Sequence, residues 1–235
     1  MKYTIIAECG INHLGNMDYA RKSIEVAKEC GADIWKTQLY HPESLFPNHE
    51  VIVNGHNYYN EVVKTELSFD QVSMLKKYCD KVGIEFLASA FDTTRLHWLE
   101  MLHVKRHKIA TRMNTNKEYV NKVILTGKEV LFSTTKRLYE YSDLTQLYCV
   151  PKYPTMISDI ALSELYQCQG FSDHTIGIEA SVFVMANVYE KDEFIIEKHF
   201  TLNRSDVGCD QIISIEPQEL KQLVKFARAF EEIDK

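Results

Sequence analysis

The stretch FSDHTIGIEASVFVMANVYEKDEFIIEKHFTLNRSDVGCD, residues 171–210, decides the fold. It predicts a strand end, a crossover helix, a second strand and a long loop, which together are typical of a parallel sheet. His174 and His199 each follow a short apolar run, so each should lie just beyond the carboxyl end of its strand. Neighbouring strands are about 4.8 Å apart, so the two imidazoles can reach one divalent cation from the same side.

Acidic residues accompany both histidines. Asp173, Glu197 and Asp210 lie close to them in the sequence. Taken singly, each histidine is more often a helix cap or a packed core residue. Two histidines at matching strand ends, both among acids, favour a shared metal, because such sites combine imidazole, carboxylate and open positions for water.

Length and composition predict one compact domain, residues 1–235. The 45% hydrophobic content fits a single α/β barrel with a sizeable core. A formal net charge of -6 without a basic run predicts no nucleic acid and no membrane as partner. No signal-peptide core and no apolar run of the ~20 residues that span a bilayer is present, so we expect a cytoplasmic protein. The six scattered cysteines are expected to be reduced.

Along the chain, short runs rich in β-branched and aromatic residues alternate with segments whose apolar residues recur with the period of a helix. This rhythm predicts βα units, and eight strands predict a closed (β/α)8 TIM barrel. The predicted strands are Thr4–Glu8, Asp33–Gln38, Glu85–Ala90, Arg106–Ala110, Glu129–Thr134, Leu147–Val150, Gly170–Ser172 and Phe194–Lys198. Helices are expected to begin near Asp18, Phe69, Thr93, Asn116, Ser158, Ile176 and Pro217, with caps that include Ser68, Thr115 and Glu216.

Two connections depart from this rhythm. KRLYEYSDLTQ, residues 136–146, is too short and turn-rich for a crossover helix, which predicts a shortened connection between the fifth and sixth strands. The strand surface exposed there would be covered by a loop or by a partner subunit. His41–Thr65 is a long segment with little period, and loops of that length are often lids.

Polar residues end most of the predicted strands, and in parallel barrels the chemistry lies at those ends. Lys36 and Lys108 lie within apolar strands, where a buried cation needs an anion, so the pair predicts a phosphate or carboxylate ligand. The alternative is that Lys108 pairs internally with Glu8 while Lys36 extends outwards. The other polar residues at strand ends are Asn12, His13, Gln38, Ser89, Asp92, Thr111, Ser133, Thr134, Thr135, Lys136, Lys152, Tyr153, Ser172, Asp173, His174, Lys198 and His199.

Motifs along nearly the whole chain resemble, in order, those of the N-acetylneuraminate (sialic acid) synthase family. They include IIAECGINHLGN (5–16), KTQLY (36–40), TGKEVLFST (126–134), CVPKYPT (149–155), FSDHTIGIEA (171–180) and EKHFTLNRSDVGCDQIISIEP (197–217). The resemblance implies a (β/α)8 barrel that condenses phosphoenolpyruvate with an N-acylated amino-sugar aldehyde, N-acetylmannosamine or a relative of it. The products are a nonulosonic acid and phosphate. It also implies a divalent metal, Mn²⁺ before Mg²⁺ or Co²⁺.

The same resemblance implies roles for individual residues. His174 and His199 match the metal ligands. The implied catalytic residues are Glu8, Lys36, Lys108 and Asp210, and the implied substrate-binding residues are Gln38, Ser89, Thr111, Ser133, Tyr153 and Ser172. The enol carbon attacks the aldehyde that the metal polarises. A base, either Glu8 or a hydroxide on the metal, then activates water, and phosphate leaves by C–O cleavage.

The chain also departs from the family pattern. Arg112 and Met113 replace a glycine and an acid, Pro151 replaces a small polar residue, and Cys209 and Gln211 flank Asp210 in place of proline and histidine. The first three substitutions favour a second hypothesis, a barrel without turnover that serves as a metal-binding, anion-binding or assembly subunit. A metal-dependent hydrolase ranks last, because the chain has no early H-x-H pair.

The family's barrel is commonly followed by an antifreeze-like domain that reaches the sugar of a neighbouring subunit, and we expect none here. We expect instead a homodimer held by barrel-to-barrel contacts. In that arrangement the His41–Thr65 segment closes the mouth of the site, with Tyr58 and Tyr59 as its anchors.

Overall fold

The fold is a closed parallel barrel. The computed structural model describes residues 1–53, 55–188 and 191–233. Within those residues eight parallel strands pair in chain order around the barrel, and the last returns to the first with Glu8 opposite His199. The strands are β1 Lys2–Gly10, β2 Ile34–Leu39, β3 Glu85–Ala90, β4 Arg106–Ile109, β5 Glu129–Thr134, β6 Thr145–Cys149, β7 Gly170–Asp173 and β8 Glu193–His199. The predicted TIM barrel is confirmed, and every predicted strand overlaps an observed one.

Helices surround the strands. They are α1 Met17–Glu29, α2 Phe69–Val82, α3 Thr93–Met101, α4 Lys117–Ile124, α5 Leu162–Leu165, α6 Glu179–Asn187 and α7 Pro217–Ile233. Ser68 caps α2 as predicted, and Gln71 completes a capping box with it. No helix within the described residues is both long and apolar enough to cross a membrane.

Three details of the predicted helix starts are wrong. The cap of α4 is Asn116, whose side chain accepts a hydrogen bond from the Tyr119 amide, and not Thr115. The helix expected near Ser158 is a 3-10 turn at that point, because the extended backbone of Ile160 separates it from α5. The helix expected near Ile176 starts at Glu179. The intervening Gly177 has a φ of 75°, a left-handed conformation that cannot lie inside a helix.

The connection between β5 and β6 is shortened, as predicted. A 3-10 turn, Tyr139–Tyr141, stands in place of an α-helix. The Tyr141 ring packs against Phe132 of β5 at 5.1 Å between ring centroids, and the Gln146 amide donates to the Leu138 and Tyr141 carbonyls. The connection itself therefore covers this strand surface. Tyr139 remains 78% exposed beside it.

The 41–65 segment is more regular than its sequence indicated. It contains two short helices, Pro42–Leu45 and Tyr59–Lys64, and the antiparallel strands Ile52–Val53 and His56–Asn57. Tyr58 packs with the buried cluster that joins this segment to the barrel, whereas the Tyr59 ring stacks on His49 inside the segment. Tyr58 therefore has the contacts of an anchor and Tyr59 does not. Closure of the segment over the barrel stays a prediction.

The interior of the barrel is built in layers. Six apolar side chains fill one layer: Ile6, Ile34, Leu87, Leu131, Leu147 and Ile195. Alternate residues of a strand face the same side, so the next inward residues lie two positions later. Together with the residues that β4 and β7 place in register, they form a polar layer of Glu8, Lys36, Ser89, Lys108, Ser133, Cys149, Ser172 and Glu197. The polar layer thus rests on a packed apolar base.

Candidate active site

A cavity of about 780 Å³ lies above the polar layer, at the carboxyl ends of the strands. Its size suits small-molecule substrates. Side chains of the 41–65 segment, among them Phe46 and Val53, form part of its wall. The structure brings all twelve predicted site residues into that wall: Glu8, Lys36, Gln38, Ser89, Lys108, Thr111, Ser133, Tyr153, Ser172, His174, His199 and Asp210.

Lys36 is held between two carboxylates. Its Nζ lies 2.8 Å from Oε2 of Glu8 and 3.4 Å from Oε2 of Glu197. Burial alone would lower the pKa of Lys36, but the charges of Glu197 and Glu8 raise it above its ordinary value. Lys36 is therefore a cation buried inside the barrel. The alternative in which Lys36 extends outwards while Lys108 pairs with Glu8 is wrong.

Lys108 is less fully paired. Its Nζ donates to Oγ of Ser133 at 2.7 Å and lies 3.5 Å from Oε1 of Glu197. Burial lowers the pKa of Lys108, and the attraction of Glu197 does not fully offset the burial and the repulsion from Lys36. An ammonium group has three donors. An arriving anion would therefore use the free donors and raise the pKa of Lys108 again.

Glu197 is the central carboxylate of the polar layer. Ser172 Oγ donates to its Oε1 at 2.8 Å, and Lys36 and Lys108 approach it from either side. Burial opposes ionisation, but the two ammonium charges bring the pKa of Glu197 below its ordinary value. The sequence shows Glu197 close to the two histidines but does not indicate its role in the site. Its spacing of two from His199 was the available signal, because it puts both on the inward face of β8.

Glu8, Gln38 and Asp210 converge around Gly10. Gln38 Nε2 donates to Oε1 of Glu8 at 3.1 Å. A Cβ on Gly10 would lie 3.1 Å from Gln38 Nε2, 3.3 Å from Glu8 Oε1 and 3.4 Å from Asp210 Oδ2. Gly10 also has a φ of 53°. A side chain there would be strained and would crowd these three polar groups, so glycine keeps this part of the cavity open.

The two predicted metal ligands face each other. The His174 and His199 ring centroids are 5.5 Å apart. His174 Nδ1 lies 3.0 Å from the Val150 carbonyl oxygen, so this nitrogen carries the proton and donates. In the neutral ring Nε2 is then the acceptor, and its neighbour is the Tyr153 hydroxyl at 3.3 Å. A backbone carbonyl that fixes the tautomer in this way is the usual support of a metal-binding histidine.

His199 lies next to Asp210. Among the residues that the structure describes, its buried Nδ1 has no hydrogen-bond partner, and it is 3.6 Å from Asp210 Oδ2. Burial lowers the pKa of His199 to about 4, so the ring is neutral at pH 7. Within the described part of the chain no three His, Cys, Asp or Glu side chains form a ready metal cluster. The donors present fit a cation held by two imidazoles, with the other positions left to water or substrate.

Some residues at strand ends lie outside the cavity. Lys198 and Asp173 face outwards, where they form a fully buried ion pair of 3.2 Å. Ser181 of α6 donates to Asp173 at 2.6 Å. Position 198 must face outwards because its neighbours 197 and 199 face inwards. The other polar strand-end residues that do not line the cavity are Asn12, His13, Asp92, Thr134, Thr135, Lys136 and Lys152.

Comparisons with known proteins give one consistent result. The model of the NeuB family matches residues 23–235. An uncharacterised protein of Methanocaldococcus jannaschii is 33% identical, over 97% of this chain and 71% of its own length. The human N-acetylneuraminate-9-phosphate synthase is 31% identical, over 97% of this chain and 70% of its own. The crystal structure of the N-acetylneuraminic acid (sialic acid) synthetase from Leptospira borgpetersenii serovar Hardjo-bovis, in complex with citrate, has a TM-score of 0.87 and 30% identity, and the match covers 99% of this chain and 85% of that one.

Proposed function

This chain belongs to the NeuB family, and from that membership we propose that it condenses phosphoenolpyruvate with an N-acylated amino-sugar aldehyde. The products would be a nonulosonic acid and phosphate, and the sugar would be N-acetylmannosamine or a relative of it. The observation that carries the proposal is the buried arrangement of Lys36, Glu197 and Lys108 beneath two facing imidazoles in one cavity.

Phosphoenolpyruvate is the substrate that suits the polar layer. It carries a phosphate and a carboxylate, and the layer offers two ammonium groups together with the hydroxyls of Ser89, Ser133 and Ser172. Lys108 has free donors and a lowered pKa, so binding an anion there relieves an unfavourable burial. Charge-assisted hydrogen bonds of this kind stabilise a complex by about 1.5–3 kcal/mol each.

The amino sugar would occupy the upper part of the cavity. A divalent cation, Mn²⁺ by preference, would be held there by His174 and His199 and would polarise the aldehyde as a Lewis acid. Gln38 and Tyr153 offer an amide and a hydroxyl to the sugar from either side. The 41–65 segment contributes the apolar wall that limits access of water to the reacting carbons.

The reaction then needs three bond changes at the enol: a C–C bond forms, a C–O bond to water forms and the C–O bond to phosphate breaks. The methylene carbon of phosphoenolpyruvate attacks the sugar aldehyde, and the adjacent carbon becomes oxocarbenium-like. Water adds to that carbon, and Glu8, whose carboxylate oxygens contact Lys36 and Gln38, would accept its proton. Cleavage of the C–O bond releases phosphate and leaves the keto group. Lys36 and Lys108 hold the leaving phosphate throughout.

Phosphate release tests this proposal. The protein is incubated with phosphoenolpyruvate, Mn²⁺ and a panel of N-acylated hexosamines, and inorganic phosphate is measured. The proposal predicts release that depends on one sugar or on one group of related sugars. If no sugar in the panel promotes release, the chain is better described as a binding or assembly barrel.

A further inference from the structure

Arg112 adds a permanent positive charge to the wall of the cavity. Its guanidinium carbon lies 4.6 Å from the centre of the Phe46 ring, which belongs to the 41–65 segment. Across residues 1–53, 55–188 and 191–233 the Arg112 guanidinium forms no hydrogen bond and no ion pair. The group is therefore positioned by an aromatic ring while its hydrogen-bonding capacity is unused.

Arg112 differs from the two lysines of the polar layer in its hydrogen bonds and ion pairs. Lys36 is paired with Glu8 and Glu197, and Lys108 donates to Ser133. Arg112 has five N–H donors in a planar fork that matches phosphate and carboxylate oxygens in pairs. Glu50 contributes to the same cavity wall, yet it forms no ion pair with Arg112. Arg112 is exposed, so its free fork is open both to the cavity and to solvent.

Arg112 is not part of the polar layer that is proposed to bind phosphoenolpyruvate. Lys108 lies within β4, whereas Arg112 follows four residues later, in the 3-10 turn Thr111–Met113 beyond the strand end. A sugar whose aldehyde lies near His174 and His199 must extend away from the polar layer. The end of its carbon chain remote from the aldehyde is the part that can approach the upper wall.

We propose that Arg112 binds a phosphate on the far end of the amino sugar, so that the preferred sugar substrate is a phosphorylated one. This assignment rests on the proposed function. The contact with the Phe46 ring limits the motion of the guanidinium and so reduces the ordering cost of binding. The competing interpretation is that Arg112 only fastens the 41–65 segment to the end of β4.

Two sugars that differ by one phosphate provide the test. With Mn²⁺ and phosphoenolpyruvate present, kcat/KM is measured for N-acetylmannosamine 6-phosphate and for N-acetylmannosamine. The wild-type protein should prefer the phosphorylated sugar at least about tenfold, and Arg112→Gln should reduce that ratio by about tenfold to a hundredfold. Lys117→Gln removes the same charge from an exposed position on α4 outside the cavity, and it should leave the ratio unchanged.

Two further variants separate recognition from fastening. Arg112→Lys keeps the charge but loses the fork, so it should retain part of the preference. Phe46→Leu removes the ring contact and should weaken the preference less than Arg112→Gln does. An unchanged ratio in Arg112→Gln, or equal use of both sugars by the wild type, would overturn the assignment. If the wild type prefers N-acetylmannosaminuronic acid to N-acetylmannosamine 6-phosphate, the group that Arg112 binds is a carboxylate and the phosphate assignment is wrong.

Calorimetric titration of each sugar gives a result that does not depend on turnover. Tighter binding of N-acetylmannosamine 6-phosphate to the wild type, lost in Arg112→Gln, supports the assignment even if no phosphate is released from phosphoenolpyruvate. In that case the proposed reaction fails while the anion site stands. Equal binding of both sugars by the wild type contradicts the anion site whatever the kinetics show.

Discussion

The Lys108 ammonium lies 3.5 Å from Oε1 of Glu197, and both side chains are buried inside the barrel. Glu197 also lies 3.4 Å from Lys36, so a single carboxylate faces two cations. Two ammonium groups near each other repel, and the carboxylate between them makes the arrangement stable in the absence of substrate. The relationship explains how this barrel can keep two ammonium groups together in its interior.

Substitution of Lys108 should weaken binding of phosphoenolpyruvate. Lys108→Met removes a donor with free hydrogen-bonding capacity, and a charge-assisted hydrogen bond contributes roughly 1.5–3 kcal/mol. We therefore expect the KM for phosphoenolpyruvate to rise at least about tenfold. Lys105→Met is the matched control, because the Lys105 side chain is 74% exposed. An unchanged KM in Lys108→Met would assign this lysine a structural role only.

Manganese should bind at one place. We expect a crystal soaked with Mn²⁺ to show a single anomalous peak between His174 and His199, whose rings already face each other. His199→Ala should abolish that peak and the metal-dependent activity while the barrel stays folded, because the site lies above the packed apolar layer. A peak elsewhere with none between the two rings would contradict the ligand assignment.

Stability should fall as the solution becomes mildly acidic. Burial lowers the pKa of His13 and of His199 to about 4 each, from an ordinary value of 6.5. Between pH 6.5 and 4 the unfolded chain takes up protons that the folded one does not. The contribution of these histidines to the free energy of unfolding is therefore fully present above pH 6.5. It declines towards pH 4, by up to about 1.4 kcal/mol per pH unit for each histidine. Urea unfolding of metal-free protein between pH 7 and 5 measures this slope.

The contribution of His13 can be isolated, because it lies outside the cavity wall. His13→Gln should reduce the slope of the free energy of unfolding against pH by the contribution of one histidine. His97→Gln, on the exposed side of α3, is the control substitution. Parallel stability curves for the wild type and His13→Gln would show that this buried ring does not resist protonation as described.

Exposed apolar side chains on the two connections that flank β6 should mediate a homodimer. Tyr139 is 78% exposed on that connection, and Ile157, which follows β6, is 63% exposed. We expect light scattering at micromolar concentration to give about twice the chain mass of 27.3 kDa. Tyr139→Lys or Ile157→Lys should shift the protein towards monomer, whereas Leu125→Lys, at an exposed position after α4, should not. A monomer mass for the wild type would contradict the predicted homodimer.

The sequence was sufficient for the barrel because its signals are local. The β-branched runs, the Ser68 capping box and the turn-rich stretch around Tyr139 each appear in a few consecutive residues. The assignment of Lys198 to the site failed where a strand-end position was taken for an inward-facing one. Strict alternation from His199 would have placed Lys198 outside and Glu197 inside.

Other features of the site depend on contacts between distant parts of the chain. Phe46 meets Arg112 across 66 positions of sequence, and no local pattern in either stretch indicates that contact. The 41–65 segment likewise packs on Ile11, Tyr40 and Cys209, which lie outside it in the sequence. Tertiary packing decides such details, and short-range propensity does not.

The reaction proposed for this barrel joins phosphoenolpyruvate to an amino sugar. Its most direct test is the fate of phosphoenolpyruvate labelled with ¹⁸O in the bridging C–O–P oxygen, incubated with the protein, Mn²⁺ and the sugar that promotes phosphate release. Mass spectrometry follows both products. We predict one labelled phosphate for each nonulosonic acid formed, and neither product without the sugar. Phosphate that appears at the same rate without the sugar, or that lacks the label, would contradict the account.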